Sequence, residues 1–499
     1  MAETVPGRVR ALDPGSESGL STLRSWIQNC NEHHDCEPRV VTLPTRILDL
    51  AADEKGDIIK IRETHGETGR YIALSHCWGS SHRITLTTTT RDVLTRGIPT
   101  SDLPLTFKDA VLVSRKLSVR YLWIDSLCII QDDAEDWRRE SSKMADVYAN
   151  AFLTIAAAAS TDDSSGCILR RSESYIPADC KALYKTIRQD QGDATCAITL
   201  TKGLELESTI YLFPEWMPSS CSNLPRVYCV DNFGKPYDPV KDEPLSSRGW
   251  TLQERILSSR IVHYGVDQMF WECGRMFVAE DGARFRKRLS LEYSSSEQDP
   301  NRCLNWTKLM EDYSRRRLTR ESDKLVALAG LARHIGQRSN DEYYCAGVWL
   351  RELWDQLNWK VCHLGSERFT TSSAARIRSF SCEPFNEFYL EELEHAPGAI
   401  VSGRPSKPHL NYSVIHGPYS EDIDDDDELP VDDDMYEVSV PTSYRAPSWS
   451  FAAINAPVKF TQTGYISGVF AQVMGIRYQV GYDRYGSVDR GCALRIKVS

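Results

Sequence analysis

The stretch RYLWIDSLCIIQDDAEDWRRESSKMADVYANAFLTIAAAA, Arg120 to Ala159, decides the fold. Tyr121, Leu122, Trp123 and Ile124 form a bulky, β-prone run without alternation, as a strand buried on both faces requires. Asp125 and Ser126 mark its carboxyl end. From Ala134 to Ala151, the residues Trp137, Met144, Tyr148 and Ala151 recur at spacings of seven, four and three, which predicts one helix with an apolar stripe. Phe152 to Ala159 is a second apolar run. Strand, helix and strand make a right-handed parallel unit, and open parallel sheets bind ligands beyond the carboxyl ends of their strands.

The same grammar recurs on either side. Tyr71 to Leu74 reads as a strand running into Ser75, His76, Cys77, Trp78 and Gly79, and Leu105 to Leu117 as the helix that leads to Tyr121. Pro104 stands at that helix's start, where a missing N–H costs little. Downstream, SSRGWTLQERILSSRIVHYG (Ser246–Gly265) predicts a loop, a helix from about Trp250 to Leu257, and a strand from Ile261 to Tyr264. Three strand-plus-helix units thus lie between Tyr71 and Tyr264.

Three blocks of this region, YIALSHCWG, the forty residues from Arg120, and RGWTLQERILSSRIVHYG, resemble in order the motif blocks of the fungal heterokaryon incompatibility (HET) domain. WIQNCNEHHDCEP and LPTRILDL before them, and YSRRRLTRESDKLVALAGLA, YCAGVWLRELWDQLNW and APSWSFA after them, are similar to flanking pieces of such proteins. The resemblance implies a distant relation to the Toll/interleukin-1 receptor (TIR) domain, many of whose members cleave NAD. The fold class it implies is α/β, a flavodoxin/TIR-like parallel sheet with flanking helices, followed by a mixed α+β C-terminal region. TIR enzymes carry a Ser-x-Trp-Cys-x-x-Glu pattern with a catalytic Glu. Here Trp250 and Glu254 match, whereas Ser247 stands three residues before Trp250, Thr251 replaces the Cys, and about 75 residues are inserted ahead of the helix. By this resemblance Glu254 is the catalytic residue, and Ser75, His76, Trp78, Asp125 and Trp250 bind the ligand. No cofactor is expected, NAD being the possible substrate.

Blander readings stand beside these. Trp250 and Glu254 also fit a core anchor and a buried ion pair with Arg248 or Arg255. Trp78 and His76 fit ordinary packing, and Asp125 an Asx turn. Asp132, Asp133, Glu135 and Asp136 read as the charged, capped start of a helix. Cys30, His33, His34 and Cys36 fit no common zinc-finger spacing and have no second cluster, so no metal is expected and a helix end capped by histidines is. His76 and Cys77 are neighbours on a strand and point to opposite faces, which excludes a dyad.

Composition sets the remaining bounds. The chain has 499 residues, 41% of them hydrophobic, and no apolar run near a membrane-spanning length, so neither secretion nor a membrane span is expected. Fifteen cysteines without a CxxC suggest reduced thiols and a cytoplasmic location. Ten of the acidic charges behind the net charge of −11 lie in Glu421–Asp434, a stretch that reads as a flexible loop. The remainder is nearly neutral and has no basic stripe for nucleic acid. GxGxxG, GxxxxGK[ST], HExxH and GxSxG are all absent, which lowers the odds for the enzymes that use them.

The expected organisation is an N-terminal extension (1–60), a HET domain (61–280) with an insert at about 169–243, a mainly helical region (281–420), the acidic loop (421–436) and a β-rich segment (437–499). Helices are expected around Leu20–Cys30, Leu304–Leu318 and Asp323–Ile335, and a further helical face in WLRELWDQLNW. Three functions remain: an effector of fungal non-self recognition that leads to growth arrest or death, with NAD cleavage as the route the resemblance implies; a non-enzymatic, self-associating signalling module; or a tailoring enzyme of fungal secondary metabolism. The expected partner is a second copy or another incompatibility protein.

Overall fold

A computed structural model describes two compact units, Met1–Ser290 and Leu291–Ser499. The described residues are 11–34, 36, 41–53, 55–79, 84–171 and 238–285 in the first. In the second they are 302–339, 344–349, 356–357, 359–361, 387–390, 446, 450–455, 457–460, 471–477, 485 and 493–498. The acidic run and nearly all of the expected insert fall outside them.

The first unit begins with helix α1 (Glu17–His33), capped by Ser16 and longer at both ends than the sequence suggests. Its sheet has ten strands: β1 (Arg46–Asp49), β2 (Ile58–Glu63), β3 (Tyr71–Ser75), β4 (Ile98–Pro99), β5 (Tyr121–Ile124), β6 (Leu153–Ala156), β7 (Arg260–Tyr264), β8 (Met269–Cys273), β9 (Phe277–Ala279) and β10 (Arg284–Phe285). They lie in the order β10-β9-β8-β7-β6-β3-β5-β1-β2-β4. The four central strands, β7-β6-β3-β5, are parallel, while the pairings outward from β5 and β7 are antiparallel. The sheet is therefore mixed, with the expected parallel unit as its centre.

The runs that lack alternation are the central strands because both faces are covered. Every residue of β3, β6 and β7 is buried, as are Leu122, Trp123 and Ile124 of β5. Helix α2 (Leu105–Lys116) buries Phe107, Ala110 and Val111, and the Trp123 ring meets Tyr148 edge-on, with centroids 5.7 Å apart. Leu122 is wholly inaccessible. Leu122→Ala is expected to lower stability by about 2–5 kcal/mol, read as a drop in the denaturation midpoint of the first unit.

The helix expected over 134–151 is two: α3 (Ala134–Ser141) and α4 (Met144–Asn150). Ser141 Oγ donates to Arg138 O and Ser142 Oγ to Arg139 O at the break, so hydroxyls compete for helical carbonyls where the apolar stripe shows no interruption. Helix α5 (Trp250–Leu257) and strand β7 follow the sequence reading closely. Among the described residues, no helix is long and apolar enough to cross a membrane.

In the second unit, helices α6 (Arg302–Ser314) and α7 (Asp323–Ser339) occupy the two expected helical stretches. Trp349 is on a strand instead of a helix. Tyr344–Cys345 pairs with Val348–Trp349 across Ala346 and Gly347, both at positive φ (49° and 91°), the backbone of a tight hairpin turn. Of the rest of that stretch, residues 356 and 357 are helical and Trp359–Val361 is a strand, while the others lie outside the described residues. Strands at Val458–Phe460, Ala471–Arg477 and Ala493–Val498 lie within the expected β-rich segment.

Candidate functional site

The parallel register aligns the carboxyl ends of the central strands: Leu74 pairs with Ile124, and Ser75 with Ala156. Ser75, His76 and Trp78 thus leave β3 beside Asp125, which leaves β5. Helix α5 brings Glu254 across to the same place. Ser75 Oγ donates to Glu254 Oε2 at 2.5 Å, which joins two groups 179 residues apart. Trp78 Nε1 donates to Asp125 Oδ2 at 2.8 Å, and His76 Nδ1 stands 3.8 Å from Asp125 Oδ1. Arg248 Nη1 donates to His76 O at 3.1 Å. These contacts join Ser75 to Glu254, and His76 and Trp78 to Asp125. Trp250 is one helical turn from Glu254 and packs edge-on to Trp137, with centroids 6.2 Å apart.

Electrostatics single out Glu254. Burial, reinforced by the nearby charge of Asp125, pushes its carboxyl up to about 7, against the opposing effects of the Ser75 hydroxyl, the Arg248 charge and Tyr148. Burial raises Asp125 as well, opposed by the Arg248 charge and the Trp78 indole. A carboxyl placed as Glu254 is can hold and release a proton near neutrality. The ring of Trp78 is only half-buried at the rim. His76 packs edge-on to Phe107 at 5.1 Å, whereas Cys77 lies among Ala156, Leu245 and Ile261, its thiol pushed up by burial. No thiol–imidazole dyad forms.

The ion-pair reading of Glu254 with Arg255 fails for a geometric reason. Arg255 turns to the other side of α5, where Nε reaches Glu272 at 2.8 Å and the two Nη atoms reach Asp238 at 2.8 and 3.1 Å; His263 Nε2 lies 3.2 Å from the same Glu272. Of the acidic residues expected to start α3, only Asp133 caps it, by accepting from Glu135 N and Asp136 N. Asp132 instead accepts from Thr88 N and Oγ1, and so anchors the Thr-rich loop after β3. Asp136 is a buried partner of Arg46.

Sequence reasoning named neither Tyr148 nor Arg248 as part of the site. Tyr148 Oη donates to Leu74 O at 3.1 Å and also interacts with the Glu254 carboxyl. Its place in the apolar stripe concealed its hydroxyl's role.

Residues 71–254 match the family model described as heterokaryon incompatibility protein (HET). The match begins at the first residue of β3 and ends at Glu254 itself. Comparison with curated proteins and with solved structures found no match.

Proposed function

On the premise that residues 71–254 carry a HET domain, whose role is related to heterokaryon incompatibility, we propose that this chain is an effector of fungal non-self recognition that hydrolyses the N-glycosidic bond of NAD at the Glu254 pocket. The observation that carries the reading is the buried Glu254 carboxyl, held near 7 at the carboxyl ends of parallel strands. The order of those four strands, second-first-third-fourth in chain sequence, is that of flavodoxin-like sheets, which place ligands at the switch point beside the first strand. The resemblance of Trp250 and Glu254 to the TIR pattern supports the same reading, since it puts Glu254 in the role of the catalytic glutamate.

The chemistry follows from the groups present. The bond from ribose C1′ to the nicotinamide nitrogen breaks, and its electron pair neutralises the departing cationic ring, so no general acid is needed. The ionised Glu254 stabilises the oxocarbenium-like ribose, as carboxylates do in glycosidases. Water then adds to C1′ and gives its proton to Glu254, from which it passes to solvent. The products are nicotinamide, ADP-ribose and one proton. The half-buried Trp78 provides a stacking face for a flat ring. Ser75, His76 and Asp125 supply polar partners for ribose and phosphate oxygens, and Ser75 also orients the glutamate.

The test is incubation of the concentrated full chain with NAD, followed by chromatography. Wild type is expected to release nicotinamide and ADP-ribose in equal amounts, and Glu254→Ala none. Equal release from both would overturn the role of Glu254. Growth arrest on expression of Glu254→Ala with cellular NAD undiminished would transfer the function to self-association.

A further inference from the structure

Away from this pocket, the end of α1 and the end of β8 converge. Cys30 lies in the last turn of α1, His34 follows as its C-terminal cap, and Cys36 is two residues further. Cys273, the last residue of β8, joins them from 237 residues downstream. The donor atoms of these four residues all lie within 4.8 Å of one another, and Cys273 Sγ is 3.5 Å from His34 Nδ1. Zn–S bonds of about 2.3 Å and Zn–N bonds of about 2.0 Å at tetrahedral angles put the donor atoms roughly 3.5–3.8 Å apart. His33, which the sequence groups with these residues, is exposed and turns back to Asn29 O.

We propose that Cys30, His34, Cys36 and Cys273 form a structural zinc site that fastens the N-terminal helix to the sheet. Three independent features support it. The first is room for sulfur. A Cβ on Gly274 would lie 3.2 Å from Cys36 Sγ, so any larger residue there would press on that thiol. Around it, backbone N–H groups point at sulfur: Gly274 toward Cys36, and Arg275 and Met276 toward Cys273. Such donors are the usual outer partners of metal-bound thiolates.

The second is charge. Arg260 is wholly buried, and none of its three guanidinium nitrogens has a hydrogen-bond partner among the described residues. It is the cross-strand partner of Cys273, and its charge reaches Cys30. Its guanidinium lies over the Phe152 ring at 5.5 Å, and a buried cation without an anion to balance it is costly. Zinc with three thiolates and a neutral imidazole carries a net charge of −1, which the guanidinium balances. The third is the state of the thiols. None of the three is tied up in a disulfide, so each can offer its sulfur to a metal.

The donor set favours zinc: three thiolates and one imidazole, closed by four protein ligands with no position left for substrate. The full chain, purified without chelator, is therefore expected to contain one zinc per molecule by elemental mass spectrometry. His34→Ala and Cys36→Ser, both at partly exposed positions, should reduce zinc to background, while His33→Ala should retain it. Cobalt exchanged into the wild-type protein should show intense ligand-field and thiolate charge-transfer bands, a readout independent of any variant. Metal-free protein that is fully folded, a disulfide among the three cysteines, iron in place of zinc, or zinc retained in Cys36→Ser would each overturn the assignment.

Discussion

Glu254→Gln is expected to abolish NAD cleavage and yet to make the protein more stable at alkaline pH. Removing a carboxylate that stabilises developing positive charge typically costs on the order of 10²–10⁴ in rate. The stability effect has the opposite sign because burial raises the folded-state carboxyl from 4.5 to about 7. Between those values the folded state holds a proton that the unfolded state has released. Stability therefore falls as pH rises from about 4.5 to about 7 and stays lower above that range. A displacement of this size corresponds to roughly 3 kcal/mol at full expression. The glutamine variant lacks this loss. Denaturation midpoints of the two proteins should coincide near pH 5 and separate near pH 8 in favour of Glu254→Gln. Wild-type turnover, which needs the carboxylate, should rise about tenfold per unit below 7 and level off above it. A wild type whose stability is flat between pH 5 and 8 would contradict the burial argument even if the activity result held.

The second large effect is structural. Asp136, which is 2% exposed, pairs with Arg46 and Arg139 and accepts from Ile130 N at 2.9 Å; Arg46, 5% exposed, also donates to Cys128 O at 2.7 Å. The pair joins β1 to the first turn of α3. Asp136→Ala leaves the Arg46 cation buried and without its carboxylate, a change that costs about 3–5 kcal/mol in comparable sites. Chemical denaturation should register that loss. The double variant Asp136→Leu with Arg46→Met should recover most of it, because two apolar groups leave no charge stranded. If Asp136→Ala cost less than 1 kcal/mol, roughly the worth of an exposed pair, solvent would have to reach Arg46.

The central strands were legible because burial on both faces writes an uninterrupted apolar run, and α5 because Trp250, Leu252 and Leu257 keep a helical period. The antiparallel strands that widen the sheet were not. β4 and β10 are two residues long, and β1 is stabilised by Asp136, which lies 90 residues from Arg46. Site residues at strand ends were legible because the parallel unit fixes where chemistry gathers. Which carboxylate is strained was not, since the displacement of Glu254 depends on Asp125, Arg248 and Tyr148 converging from separate elements. The cluster at the end of α1 shows the limit most plainly: three of its donors sit within seven residues, and the fourth ends β8, 237 residues further on.

The sheet also constrains how copies of this domain can meet. Its parallel centre is walled on both sides by antiparallel strands, and the outermost strands, Ile98–Pro99 and Arg284–Phe285, are only two residues long, one of them with a proline that has no N–H to give. Such rims offer almost no ladder for another strand to extend. Among the described residues, the rims of this sheet therefore resist the runaway edge-to-edge growth that long open strands invite.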